Sequence, residues 1–236
     1  MDNYTTAQGA QQMAPMGMMQ RNYNMEHEGQ IPEKVRSLVN EVYEHQKDGV
    51  EFHSSMVDLY DFLHLKGFKM WQEYRLGEEM EKLKELQSKF IQRHHYMLGP
   101  HKIQQYTSII PQEFYAHAAK DVTKDDVVKE TKRSLKEYLR WEEKTLNFLK
   151  QKQRELAQME SYAEYIDIRE MIEDVAAEIE FIETFMIELE SVNYDPSYIQ
   201  KVQERFCIEF KKNNGNYNYY NRRNEDYGYR QYGYRY

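Results

Sequence analysis

Four stretches of this sequence carry apolar residues at alternating intervals of three and four positions, the spacing that places them on one face of an α-helix. No proline interrupts residues 112–195, where one would break a helix. Five prolines and ten glycines in 236 residues are also too few for the many turns of an all-β fold. The chain is therefore predicted to be all-α. The four apolar stripes run from Val42 to Leu63, from Leu76 to Phe90, from Leu135 to Leu149 and from Met171 to Leu189.

Residues typical of helix ends mark the boundaries between these stripes. In chain order they are Pro32 at the start of the first helix, Gly67 between the first and second, Leu98-Gly99-Pro100 at the end of the second, a capping box of Thr123 and Asp126 before the third, a turn near Met159–Ser161, and Asp195-Pro196 before a short fifth helix over 196–211. The first–second and third–fourth links are short, which predicts two antiparallel hairpins. The link over 98–122 is long enough to run the length of a bundle. We predict a four-helix bundle with one long crossover and a short fifth helix.

The two ends of the chain differ in composition from the middle. Residues 1–30 hold six of the 13 methionines and show no helical period, and residues 212–236 are rich in Tyr, Asn, Arg and Gly. Both are predicted to be disordered segments flanking a bundle over 31–211. Residues 211–236 carry a net charge of +4, whereas residues 31–210 carry −10.

The C-terminal segment has the chemistry of an interaction element. Tyrosine and arginine stack on one another and on nucleobases. The sequence therefore allows self-association, Tyr–Tyr cross-linking or weak binding of single-stranded nucleic acid. The acidic charge of the bundle argues against nucleic-acid binding by the bundle itself. The candidate interaction residues are Tyr227, Tyr229, Arg230, Tyr232, Tyr234, Arg235 and Tyr236.

Three of the apolar stripes each contain one glutamate in the middle: Glu79, Glu142 and Glu178. A buried carboxylate is costly unless it is paired, protonated or bound to a metal. Three at the same depth of one bundle point to a common site.

Two spacings around these glutamates resemble those of the ferritin and rubrerythrin superfamily. In that family a Gly-Phe break is followed, twelve residues after the Gly, by the Glu of a Glu-x-x-His ligand pair, and here Gly67 precedes Glu79 by twelve. In bacterial ferritins the third-helix and fourth-helix glutamates are 36 residues apart, and Glu142 and Glu178 have that separation. The resemblance implies a ferritin-like bundle with a metal site on these carboxylates.

The same comparison implies that the metal site is degenerate. Lys82 stands at the His of the ligand pair, and Gly49 stands at the glutamate of the first helix. Lysine has no lone pair at neutral pH, so it is a poor ligand. We therefore expect no cofactor, with Lys82 neutralising part of the carboxylate cluster. An alternative hypothesis is one divalent metal, Fe or Mn, on the three glutamates with His53 or His45. A third is that the stripes are misphased and the glutamates are exposed. For Lys82 alone, the alternative is a surface pair with Glu78.

These observations predict a non-enzymatic structural or assembly protein, and the flanking compositions are similar to those of bacterial endospore coat proteins. Its expected partners are copies of itself or coat proteins, bound through the C-terminal segment. The alternatives are a ferritin-like protein that stores or oxidises iron or manganese, and association with single-stranded nucleic acid. No secretory signal or membrane-spanning run is present in the sequence, so we expect cytoplasmic synthesis.

Overall fold

A computed structural model describes residues 31–99, 108–116 and 122–211. The predicted arm, 1–30, and the predicted C-terminal segment, 212–236, with its candidate interaction residues, lie outside the described residues. The elements are α1 (Glu33–Phe62), α2 (Lys66–His94), a 3₁₀ helix (Gln112–Ala116), α3 (Lys124–Gln158), α4 (Tyr162–Ser191) and α5 (Pro196–Lys211).

The four long helices form two hairpins, α1–α2 and α3–α4, joined by the long link between α2 and α3. The predicted bundle with one crossover and a short fifth helix is thus confirmed. None of the described helices is long and apolar enough to cross a membrane.

Two of the predicted helix starts have the expected caps. Thr123 and Asp126 form a capping box, in which the Thr123 hydroxyl accepts from the Asp126 backbone N–H at 3.1 Å. The Asp195 carboxylate accepts from the backbone N–H groups of Ser197 and Tyr198, at 2.9 and 3.0 Å. These side chains satisfy amide groups that the first turn of a helix leaves without a partner.

Two predicted boundaries are wrong. The turn between α1 and α2 is made by His64 in the left-handed conformation, φ 59°, and Gly67 is already inside α2. Likewise α2 ends at His94, with left-handed His95 after it, rather than at Leu98-Gly99-Pro100. In both places a residue with a side chain adopts the conformation that glycine adopts most readily.

The interior consists of two apolar clusters with a polar layer between them. One cluster contains Phe52, Tyr60, Trp71, Tyr138 and Phe185 among others, and reaches α5 through Phe206. The other contains Val42, Leu86, Phe90, Leu149 and Val175. Along every long helix the residues between the two clusters are those of the predicted polar site, so the fold places that site at mid-bundle.

Gly67 permits the docking of α5. A methyl group at this position would lie 2.0 Å from the backbone oxygen of Gln203 on α5. The same group at Gly49, in the middle of α1, would make ordinary contacts of 3.6 Å or more with Glu79 and Trp141.

We predict that Gly67→Ala destabilises the chain by roughly 1–3 kcal/mol, because the backbone of α5 must move away. The matched control, Gly49→Ala, has room for its methyl group, and it should be neutral or stabilising by up to about 1 kcal/mol since alanine restricts the unfolded chain. Urea unfolding of the two variants measures this difference. Equal stability of the two would show that α5 does not pack closely on Gly67.

Candidate functional site

The three glutamates singled out in the sequence are all buried at the polar layer. Glu79 on α2 is 8 % exposed, Glu142 on α3 is 3 % exposed and Glu178 on α4 is 9 % exposed. From α1, the buried residues His53 and Gly49 face the same layer. Each glutamate occupies a position in the apolar stripe of its helix. Because that stripe faces the core, the glutamate side chains point inward.

Arg75 is the cation nearest to Glu178. One of its terminal nitrogens lies 3.3 Å from Glu178 Oε2 and 2.6 Å from Glu78 Oε2. The hydroxyl of Tyr138 accepts from Arg75 Nε at 3.2 Å and donates to Glu178 Oε1 at 2.7 Å. Burial alone would lower the pKa of Arg75, but Glu178 and its other anionic neighbours raise it well above its usual value. A charged guanidinium therefore stays in the interior.

Lys82 is the cation nearest to Glu79. Its ammonium group lies 3.3 Å from Glu79 Oε1 and 3.5 Å from Asp174 Oδ2 on α4. Burial opposes the charged form of both groups. The pKa of Glu79 is nevertheless lowered by Lys82, His53 and Arg75, and the pKa of Lys82 is raised by Glu79 and Asp174. Glu79 and Lys82 thus form a buried ion pair.

Among the described residues, Glu142 has no lysine or arginine within ion-pair distance. Its nearest polar neighbour across the layer is His53, whose Nε2 lies 3.8 Å from Glu142 Oε1. The other ring nitrogen of His53, Nδ1, is 2.9 Å from Gln72 Oε1. An amide oxygen only accepts, so we assign the proton to Nδ1. That leaves the lone pair of Nε2 with no hydrogen-bond partner among the described residues.

Burial and ion pairing together set the charges of the layer. Burial, reinforced by Glu79 and Glu178 and opposed by Arg75, raises the pKa of Glu142 to about 8. Burial also lowers the pKa of His53 to about 4. At neutral pH Glu142 is therefore protonated and His53 is neutral. Glu79 is paired with Lys82, and Glu178 shares Arg75 with Glu78.

A dinuclear metal centre does not fit these side chains. The cavity beside Gly49 has a volume of about 10 Å³, which is room for about one water molecule. Lys82 points its ammonium group at Glu79, where a di-iron site would need a further ligand. Among the residues that the structure describes, no group of three or more His, Cys, Asp or Glu side chains is arranged to hold a metal ion.

His45, the other histidine candidate, is held beside the layer. Its Nε2 lies 2.9 Å from the Thr145 hydroxyl, and its ring stacks on Trp141 at 5.1 Å between centroids. Burial and Lys144 lower its pKa to about 4. His45 lines the small cavity, and these two contacts hold its ring against α3. Its ring therefore joins α1 to α3.

Three residues of the layer were missed by the sequence reasoning: Arg75, Gln72 and Tyr138. The predicted stripe of the second helix passed through Leu76 and Leu83, which are only half-buried. The buried face of α2 instead passes through Phe68, Gln72, Arg75 and Glu79. The signal that could have identified Arg75 is its position four residues before Glu79, on the same face of a helix.

We predict that Arg75→Met lowers the free energy of unfolding by about 3–5 kcal/mol, because it leaves Glu178 buried without its cation. Arg140 supplies a matched control. It pairs with Glu137, three residues away on the exposed side of α3, just as Arg75 pairs with Glu78. Arg140→Met should cost less than about 1 kcal/mol. Urea denaturation of both variants gives the comparison. Similar losses for the two would mean that the buried pair contributes no more than a surface pair.

Glu142 should also make stability depend on pH. Its carboxyl keeps its proton in the folded chain up to about pH 8, whereas the ordinary pKa is 4.5. Unfolding between these values releases a proton, so the stability contributed by this group is complete below pH 4.5 and is lost as the pH rises to about 8. His53 and His45 act in the opposite direction, since their lowered pKa values reduce stability only as the pH falls below 6.5.

Between pH 6.5 and 8, Glu142 therefore accounts for most of the change within the layer, and Glu78, whose pKa burial also raises, adds to it in the same direction. We expect the unfolding free energy to fall by about 2 kcal/mol across this range, at 1.36 kcal/mol per pH unit. Glu142→Gln, which cannot ionise, should remove most of that slope. Urea titrations at several pH values measure it. An undiminished slope in the variant would place the titrating group elsewhere.

The fold with this layer at its centre is similar to that of archaeal ferritins. An open-pore ferritin from Archaeoglobus fulgidus matches with a TM-score of 0.61 at 13 % identity, over 76 % of this chain and 99 % of that one. A humanized archaeal ferritin matches with a TM-score of 0.62 at 13 % identity, over 75 % and 98 %. No protein-family model matches the sequence, and no curated protein is significantly similar to it. At this level of identity the likeness is one of fold, and the described helices have a ferritin-like fold.

Proposed function

We propose that this chain is a non-enzymatic structural protein, a ferritin-fold bundle that serves as a building block of an assembly. The observation that supports the proposal is the pairing of two core carboxylates with cations of the chain itself, Glu178 with Arg75 and Glu79 with Lys82. The charge that metal ions would neutralise in a carboxylate-rich bundle is neutralised here by side chains.

The chemistry of the layer supports a structural role over a catalytic one. A metal that performs catalysis needs several carboxylate or imidazole ligands and an open position. Of the four candidate ligands, two carboxylates are in ion pairs and Glu142 is protonated at neutral pH. Only the Nε2 atom of His53 is unpartnered, and one ligand does not make a centre. The layer links all four long helices, which is what a rigid building block requires.

The C-terminal segment is proposed as the element that joins one copy to another or to coat-type partners. Residues 211–236 carry +4 against −10 for residues 31–210. The tyrosines and arginines named above, from Tyr227 to Tyr236, would add stacking contacts that salt does not screen. Exposed apolar side chains on α4 and α5, such as Ile187 and Ile208, offer further contact area on the bundle.

The second candidate function is metal handling, the storage or oxidation of iron or manganese at a remodelled site. The likeness of the fold to ferritins, taken by itself, favours this candidate over a structural role. A specific observation adds to it, since the unpartnered Nε2 of His53 faces Glu142, which lines the cavity at Gly49. In this candidate a single divalent ion would bind Glu79, Glu142 and Glu178 with His53.

Metal analysis separates the two candidates. The structural proposal predicts well under one equivalent of Fe or Mn per chain after purification without chelator, unchanged when either metal is added. Lys82→His with Gly49→Glu restores the pattern of the resembled family and should raise metal affinity. One equivalent per chain in the unmodified protein, lost in Glu142→Gln, would establish the second candidate and overturn the first.

Light scattering tests the assembly role. The full-length chain should associate at low salt, and association should weaken but persist as salt screens the charges over about 8 Å at physiological ionic strength. A chain ending at Lys211 should associate less and remain folded, because both apolar clusters lie within residues 35–210. Identical masses for the two proteins at every salt concentration would contradict a role of the segment in assembly.

A further inference from the structure

The outer side of α3 carries an excess of positive charge, although residues 31–210 as a whole are acidic. Among the exposed residues of this helix, eight Lys and Arg stand against two Asp and Glu, a net charge of +6. Lys129 and Arg140 have glutamate partners on the same helix. Without these two cations the exposed charge is still +4. We call this surface the basic face, and its cations that form no ion pair with a described residue are Lys124, Lys132, Lys136, Lys144, Lys150 and Arg154.

Four cations of the basic face form a row along the helix. The row consists of Lys132, Lys136, Arg140 and Lys144. Intervals of four residues place side chains on one side of a helix, and the row spans twelve residues, or about 18 Å at 1.5 Å per residue. Lys132 lies over the ring of Tyr194 and Lys144 over that of Trp141, at 5.1 and 5.4 Å from the centroids. These contacts leave the positive charges in place.

The outer side of α4 carries the opposite charge. Among its exposed residues, five Asp and Glu stand against one cation, Arg169, a net charge of −4. Glu173 is paired with Arg169. Asp174 is paired with Lys82 of α2. We call this surface the acidic face, and its carboxylates without a cationic partner in the described parts of the chain are Glu180, Glu183 and Glu190.

The two faces match in length and in chemistry. Glu180 and Glu190 are ten residues apart, or about 15 Å, which is close to the length of the row of cations. Ile187 follows Glu183 by four residues and precedes Glu190 by three, so it lies on the same side of α4. Its side chain is 66 % exposed, and the aliphatic stems of lysine side chains cover apolar groups of this kind.

We propose that the basic face of one copy of this chain binds the acidic face of another. The unpaired charges of the two faces form no ion pairs with one another within the described residues, so both faces are available to a partner. A second copy satisfies both faces at once, whereas a nucleic acid on the basic face would leave the acidic face unpaired. The inference rests on the proposed assembly role, and it gives that role a contact on the bundle itself, separate from the C-terminal segment.

The contact is heterologous, because the two faces that meet are different surfaces of the chain. Each copy would bind one neighbour through α3 and another through α4, so the contact repeats into a ring or a filament. Every charge involved is exposed, and a single exposed pair contributes little. The contact therefore depends on several pairs together, and salt should weaken it.

Charge reversal on either face tests the proposal by sedimentation equilibrium of the full-length chain. Lys136→Glu with Lys144→Glu reverses the basic face. Glu183→Lys with Glu190→Lys reverses the acidic face. Each variant alone should associate about tenfold more weakly than the unmodified chain, since two exposed pairs are lost and like charges meet in their place.

Lys34→Glu with Lys84→Glu is the matched control for the first variant. It makes the same change of net charge on exposed positions of α1 and α2, and it should leave the association constant unchanged. A loss as large in this control as in the first variant would make net charge the cause and overturn the proposal.

Mixing the two face variants in equal amounts gives the sharpest result. The reversed α3 of one variant then meets the reversed α4 of the other at every contact, so the mixture should recover the association of the unmodified chain. A variant that had failed to fold would not be rescued in this way. If two folded variants fail to recover association when mixed, the two faces do not bind each other.

The other outcomes separate this inference from the assembly proposal. Equal association of the unmodified chain, both face variants and the control would overturn the inference alone and leave the C-terminal segment as the joining element. An unmodified chain that stays monomeric at every concentration would overturn the assembly proposal as well. Binding of a DNA duplex that is lost on reversing the basic face, with self-association retained, would assign that face to a nucleic acid and overturn the inference.

Discussion

Three carboxylates inside a helical bundle lose their hydration and repel one another, and the structure of this protein depends on how that cost is met. Arg75 approaches Glu178 and Lys82 approaches Glu79, while Glu142 keeps its proton. Removing either cation would leave a buried charge with no partner, which is far more costly than losing an exposed pair. We therefore expect the stability of the polar layer to depend on both cations.

The position of this layer explains the division of the interior into two apolar clusters. Each long helix contributes apolar residues above and below the layer and polar ones within it. The hydrogen bonds and ion pairs of the layer run between helices, from α1 to α2 through His53 and Gln72, and from α2 and α3 to α4 through Arg75 and Tyr138. Because each contact has a fixed geometry, the layer sets the register of the four helices, which apolar packing alone leaves less defined.

The fold could be predicted from the sequence, because the apolar stripes, the capping residues and the link lengths all indicate one bundle. The depth of Glu79, Glu142 and Glu178 followed from the same stripes. Arg75 could not be found in that way, since an arginine on a helix is usually solvated and only tertiary contacts bury it. The turns at His64 and His95 were also missed, because a left-handed residue with a side chain has no clear sequence signal. The order of the polar contacts within the layer depends on distances between helices that no single stripe encodes.

The central proposal is that side chains of the chain, and not metal ions, neutralise the carboxylates of the layer. Anomalous X-ray scattering at the Fe and Mn edges, from crystals of the full-length protein grown with each metal, tests it most directly. The account predicts no anomalous peak within the layer, with Arg75 on Glu178 and Lys82 on Glu79. A metal peak among Glu79, Glu142 and Glu178, with either cation displaced, would contradict it.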